Sequence, residues 1–281
     1  MKHFMLPALL FLLTAAPVRL GVVGTPGAPV DPPSGSGGPP QGELTVTILF
    51  DNFWTDDRLG TGWGFAALLE TPEHTVLFDT GADGEILLEN MGLLGKDPMS
   101  IEKIVISHAH GDHTGGLGAL LELGIRPQLY LLSAFPSQMR EQLPPSLEVI
   151  DATPGQEIVP GILTTGQVGT QIPEQALVLE TRVGTVVLTG CAHPGVVQMV
   201  ERAMEVRPGA IELVMGGFHL LQASGEEIQS IIQDFRRLGV ARAGPTHCTG
   251  LIAMESFHTA YGEDFQRLGV GRVLTFPLGE G

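Results

Sequence analysis

Lysine is nearly missing from this sequence. Only Lys2, Lys96 and Lys103 occur in 281 residues, and 15 Lys+Arg against 31 Asp+Glu leave a formal net charge of −16. No basic surface can be assembled from that supply to neutralise a run of phosphates, so a nucleic-acid partner is excluded. Cysteine is equally sparse. The only two, Cys191 and Cys248, cannot build a disulfide-rich scaffold. The apolar stretch from Phe4 to Leu13 is too short to cross a bilayer comfortably. No fixed-period repeat of the solenoid or propeller kind is present. Glycine (38) and proline (21) are plentiful, which marks a globular chain with many turns and loops.

The first residues, "MKHFMLPALLFLLTAAPVRLG", carry a basic residue at position 2, then the apolar stretch, then Ala15 and Ala16. That order is that of a secretory signal peptide, with an uncleaved N-terminal anchor as the alternative. Residues 1–20 are therefore expected to direct export to a periplasmic or secreted location, with a possible membrane tether through the N-terminus. The segment 21–43 is rich in proline and glycine and reads as a flexible linker. The folded body is expected over 44–281.

Within that body, β-type runs appear at "LTVTILF", "GFAALLE", "TVLFDTG", "KIVISHAH", "QLYLLSA", "LEVIDA", "ALVLETRVGTVVLTG", "IELVMGG" and "GRVLTF". Helical spacing marks "SGEEIQSIIQDFRRLG", where Ile228, Ile231, Ile232 and Phe235 recur on one side. Ser224 and Glu227 form a possible capping box there, and Gly239 supplies a stop. A second helix opens at Pro194 and repeats Val196, Val197, Val200 and Met204. Strands bunch early and alternate with helices later. Helices outside two sheets are the simplest packing of such an α/β chain.

The densest chemistry lies in "ISHAHGDHTGGL". On an extended segment His108, His110 and Asp112 share one side, and a turn at Gly111 brings His113 into the same volume. Such crowding costs desolvation energy unless a cation gathers the groups, and neutral imidazole with carboxylate suits zinc or a neighbouring first-row metal.

The stretch "HAHGDH" resembles the HxHxDH signature of the metallo-β-lactamase superfamily, with "LFDTG" upstream where that superfamily carries an aspartate-glycine turn. The segments "LFDN", "LTGCAHPG", "MGGFHL" and "PTHCTG" are similar to its dihydropterin ribofuranosyl-aminobenzene phosphate synthase-like branch. The resemblance covers nearly the whole body. It implies a four-layer αββα sandwich with two divalent metal ions at one edge, zinc first and iron or manganese next. By position, His108 and His110 would take one metal, Asp112 and His113 the other, and His247 would join the second.

The chain departs from the hydrolase pattern in its middle. The stretch "GILTTGQVG" lacks the histidine that common hydrolases place there, and Cys191 stands where a bridging aspartate is usual. His193 is expected to supply the missing imidazole, and Cys191 to bind a metal as thiolate or to line the site. An exported chain could instead pair Cys191 with Cys248. His219 follows a strand ending on the metal edge and is expected to be a ligand, a proton donor or a substrate contact, with the last two favoured. His74 and His258 are expected outside the site, and His3 in the leader. Asp79 is either the carboxylate that orients a metal-bound imidazole or an ordinary turn cap. Asp51 and Asn52 are expected to frame the pocket, under a loop carrying Trp54 and Trp63.

The expected reaction is hydrolysis of an ester, lactone, thioester, amide or phosphodiester in a small-molecule substrate. A metal-bound hydroxide would be the nucleophile, and Asp112 would orient it. A pterin-methyl transferase of the branch type, or a non-catalytic metal-binding module, is the alternative.

Overall fold

The computed structural model describes residues 41–279. The predicted leader and nearly all of the predicted linker, with His3, lie outside the described residues. The chain runs through β1 (Gly42–Phe50), β2 (Ala66–Glu70), β3 (Thr75–Phe78), α1 (Gly84–Leu93), β4 (Lys103–Val105), α2 (Gly111–Thr114), α3 (Leu117–Glu122), β5 (Gln128–Leu131), α4 (Ser137–Glu141) and β6 (Val149–Asp151). It continues through β7 (Glu157–Val159), β8 (Ile162–Thr164), β9 (Leu177–Thr181), β10 (Gly184–Thr189), α5 (Val196–Val206), β11 (Ile211–Gly217), α6 (Gly225–Arg237), β12 (Arg242–Thr246), α7 (Leu251–Tyr261) and β13 (Val273–Leu278).

Two sheets result, one ordered β13-β1-β2-β3-β4-β5-β6 and the other β12-β11-β10-β9-β8-β7. Side-chain alternation makes the layers. Val46, Ile48, Ala67 and Leu69 face the apolar core shared with Val186 and Leu188 of the second sheet, whereas Leu49, Ala66 and Leu68 face the opposite way, toward α1 and α3. Val187 and Val214 face α5, α6 and α7. The αββα sandwich expected from the resemblance is the observed fold. In it β3 through β6 run parallel, as do β10, β11 and β12. Open parallel sheets gather functional loops beyond their C-terminal strand ends, and the predicted site residues occupy those loops here.

Three local expectations are corrected. Gly42 and Glu43, assigned to the linker, pair with Leu278 and Pro277 and so open β1, because the C-terminal strand supplies partners invisible in the local sequence. The strand expected through "HAH" stops at Val105, and Asp112 and His113 ride on the single helical turn of α2. Pro194 precedes α5 instead of opening it; Gly195 at φ 104° is the N-cap, and Val196, Met199, Val200 and Ala203 are the buried face. Strand β12, "RAGPT", leads into His247 and carries Gly244 and Pro245; proline is tolerated there because β12 forms the sheet edge. The predicted capping box of α6 forms in full, with both Ser224 and Glu227 engaged.

Candidate metal centre

The segment after β4 delivers His108, His110, Asp112 and His113, and at four further strand ends around the site the chain turns through the left-handed region. Asp79 (φ 57°), Ala192 (60°), His219 (54°) and His247 (51°) are the non-glycine residues at positive φ among those described. They follow β3, β10, β11 and β12. Such backbone costs energy at every non-glycine residue, so it persists where surrounding contacts fix the loop. Glycines bring these loops together. A Cβ on Gly190 would meet Ser107 Oγ at 2.2 Å, and one on Gly217 would meet Gly190 O at 2.4 Å, so neither position admits a side chain.

The gathered side chains form two principal groups. His108, His110 and His193 make one; Asp112, His113, Cys191 and His247 make the other. In the first, His108 Nε2 lies 3.1 Å from His110 Nδ1 and 3.2 Å from His193 Nε2. A neutral imidazole can donate one N–H to one neighbouring ring nitrogen, whereas a cation between the three rings would satisfy all three lone pairs at once. Donors around a tetrahedral ion with metal–nitrogen bonds near 2.0–2.1 Å sit roughly 3.3 Å apart. In the second group Cys191 Sγ lies 3.2 Å from His113 Nε2 and 3.3 Å from His247 Nε2. Asp112 Oδ2 is 3.6 Å from His113 Nε2 and 3.5 Å from His247 Nε2. Both donor sets fit a divalent ion, and His108 and His113, whose ring centroids are 4.2 Å apart, place them side by side.

Electrostatics favour the ligand forms of His108, His193 and Asp112. Burial and the neighbouring imidazoles hold His108 far below its ordinary range. Burial, then His219 and His110, lowers His193 to about 3, so both present neutral nitrogen. Burial opposes ionisation of Asp112, but His247 and His113 overcome it and hold the group below the usual carboxylate range.

His108, His113 and His247 are oriented through their other nitrogens, His108 Nδ1 lying 2.9 Å from Ser107 Oγ. Asp79 is buried, takes hydrogen bonds from Ser107 N (2.7 Å) and Ser107 Oγ (2.8 Å), and lies 2.7 Å from His113 Nδ1. It thus orients an imidazole and caps no helix. Burial alone would depress His113, but Asp79 lifts it to about 9; a cation at Nε2 would replace that proton. Asn52 Oδ1 lies 2.9 Å from His247 Nδ1, and Asn52 Nδ2 donates to His247 O. Asp51 accepts from Thr246 Oγ1 at 2.7 Å, and burial raises it to about 6.

Glu174 was not anticipated from the sequence. It is fully buried, and its Oε1 accepts from Cys191 N (2.7 Å) and Ala192 N (2.8 Å) while Oε2 accepts from His193 N (2.8 Å). Burial pushes it up to about 7 despite those three bonds. It fixes the loop that gives one donor to each group. "QIPEQAL" carries no cue beyond an acidic residue next to an apolar run.

The remaining predictions divide. Exposed His219 stacks near His193, ring centroids 4.1 Å apart, and groups with Cys191 and Cys248. Both cysteines are buried free thiols. Trp63 covers His247 at 5.3 Å, whereas Trp54 bridges to Val270 on the far side of its loop. His74 pairs with Glu102, and His258 contacts Phe265 and Glu255; neither enters the site.

Known proteins are similar to this chain in sequence and fold. The family model described as "Metallo-beta-lactamase superfamily" matches residues 60–247. A 7,8-dihydropterin-6-methyl-4-(beta-D-ribofuranosyl)-aminobenzene-5'-phosphate synthase of Methanocaldococcus jannaschii is 31% identical, with 76% of this chain and 90% of the relative aligned. A solved metal-dependent hydrolase of the beta-lactamase superfamily is 26% identical at a TM-score of 0.69, covering 82% of this chain and 98% of its own. The metallo-beta-lactamase fold protein YhfI from Bacillus subtilis, 15% identical at a TM-score of 0.61, shares the fold over 83% of this chain and 99% of its own. Since the family match runs from the loop over the pocket to His247 and takes in both donor groups, the chain belongs to the metallo-beta-lactamase superfamily.

Proposed function

We propose that this protein is a dinuclear metal-dependent hydrolase that cleaves an ester, lactone, thioester, amide or phosphodiester. The observation that carries the reading is the pair of adjacent donor groups, one of three imidazoles and one of Asp112, His113, Cys191 and His247. Divalent cations held there would supply Lewis acidity and acidify water near neutral pH. The thiolate of Cys191 favours zinc or iron over manganese. Asp112, half-buried beside both His113 and His247, is placed to accept a proton from a water at the rim. His219, exposed at the mouth beside His193, is placed to donate one to the leaving group. Export through residues 1–20 belongs to the same proposal and rests on the sequence order of that segment alone.

The synthase relative supports a second reading, transfer of a pterin-methyl group with release of pyrophosphate. Its identity and length coverage favour it; the scarcity of lysine argues against it. Elemental analysis of protein purified without added metal, followed by turnover of ester, lactone and phosphodiester panels with zinc, manganese or iron, separates the readings. Two equivalents of metal and metal-dependent hydrolysis uphold the first. Two equivalents with no turnover across the panel would move the assignment to the synthase or to a binding module.

A further inference from the structure

Beyond the two donor groups a cavity of about 680 Å³ opens between the loop after β11 and the first turns of α6. Cys248 and His219 form its inner end, so it begins at the metal rim. Gln222, Glu227 and Ser230 supply polar walls. Trp63, Leu220, Leu221, Ala223 and Ile231 supply the apolar ones. Three of these are unusual for a surface. Trp63 is 52% and Leu221 58% exposed, and Ile231 is only partly buried while its neighbours Ile228 and Ile232 fill the core. The apolar surface left at the cavity is therefore in excess of what packing uses.

Away from the metal rim and His219 the cavity offers little to an anion. No lysine or arginine lines it. At the N-terminus of α6 the capping box engages Ser224 N and Glu227 N. Ser224 Oγ accepts from Glu227 N, and the Glu227 carboxylate accepts from Ser224 N at 2.8 Å. A negative side chain thus occupies the position a phosphate would take at a helix start, and it faces the cavity.

We infer that this cavity is the acyl pocket of the proposed hydrolase, selecting substrates whose group beyond the scissile carbonyl is uncharged and apolar, a medium-chain or aryl acyl ester or lactone, and rejecting phosphorylated ones. The inference rests on the hydrolase reading and narrows it. Trp63 forms the roof over the reacting end, and Leu221 and Ile231 receive the chain.

The test uses metal-loaded protein with p-nitrophenyl acetate, butyrate and hexanoate and with bis(p-nitrophenyl) phosphate. Each methylene received by the pocket should raise kcat/KM by about two- to fourfold, so hexanoate should exceed acetate by tenfold or more. Leu221→Asp should bring the hexanoate-to-acetate ratio close to one, while Val183→Asp, in the exposed turn between β9 and β10, should preserve it. Esters cleaved with no dependence on chain length, or a faster phosphodiester, overturn the pocket and leave the hydrolase reading intact. If no substrate turns over, the hydrolase reading fails and the pocket is judged by binding. In a metal-loaded Trp54→Phe variant, hexanamide should shift Trp63 emission to the blue in a saturable way that Leu221→Asp abolishes; no saturable response overturns the inference.

Discussion

Removing the Glu174 carboxylate should weaken both metal positions without touching a metal ligand. The side chain is fully buried and accepts three backbone hydrogens, from Cys191, Ala192 and His193, at 2.7, 2.8 and 2.8 Å. Each buried donor left unpaired costs about 1–3 kcal/mol, so Glu174→Ala should lose about 3 kcal/mol or more of unfolding free energy. That is a large share of the 5–15 kcal/mol typical of a domain. Ala192 is already in left-handed backbone at φ 60°, so the loop has a reason to relax once released. Because it carries Cys191 for one group and His193 for the other, affinity should fall at least about tenfold at both, the scale of lost supporting contacts. Glu174→Gln makes a finer test. Its amide oxygen can keep the bonds from Cys191 and Ala192, but its NH2 then faces His193 N, so the group with His193 should weaken and the group with Cys191 should persist. Thermal unfolding with and without metal, together with metal titration monitored by elemental analysis, reads both effects. A Glu174→Ala protein within about 0.5 kcal/mol of wild type that still binds two equivalents at unchanged affinity would refute the reasoning.

Glu174 also predicts a pH dependence of the metal-free protein. Its carboxyl is raised from 4.5 to about 7 by burial, so the folded state holds a proton that the unfolded state has released between those values. The associated stability is present in full below about pH 4.5 and is lost as pH rises through about 7; relative to Glu174→Gln, wild type should lose about 3 kcal/mol across that window in chemical denaturation. Asp79→Asn should weaken binding at the group containing His113 by about 10–100-fold while leaving the three-imidazole group loaded, measured by metal stoichiometry at limiting chelator. Cys191→Ser should shift preference away from zinc toward manganese, read by competition between the two ions, and an unchanged preference would place the thiol outside the ligand set. Residues 1–20 should send the protein to the exported fraction, and deleting them should retain it in the cytoplasm with the same melting temperature once metal is loaded, checked by fractionation and intact mass.

The sequence alone pointed to a metal site at His108, His110, Asp112 and His113, because four donors within six positions need no long-range information to be recognised as a desolvation problem. Its alternation of apolar residues also marked most strands and the face of α6, since those periods are local properties of a pleat or a helix. The family resemblance named His193 and His247 as distant members of the centre, but only the tertiary structure decided which groups they meet and hold. His193 meets His108 across 85 positions, and Asn52 meets His247 across 195. Those distances depend on the order in which two sheets stack, and no local pattern encodes it. Glu174 shows the same limit from the other side, since nothing in "QIPEQAL" separates a buried carboxylate from an exposed one and only folding brings the backbone of residues 191–193 against it.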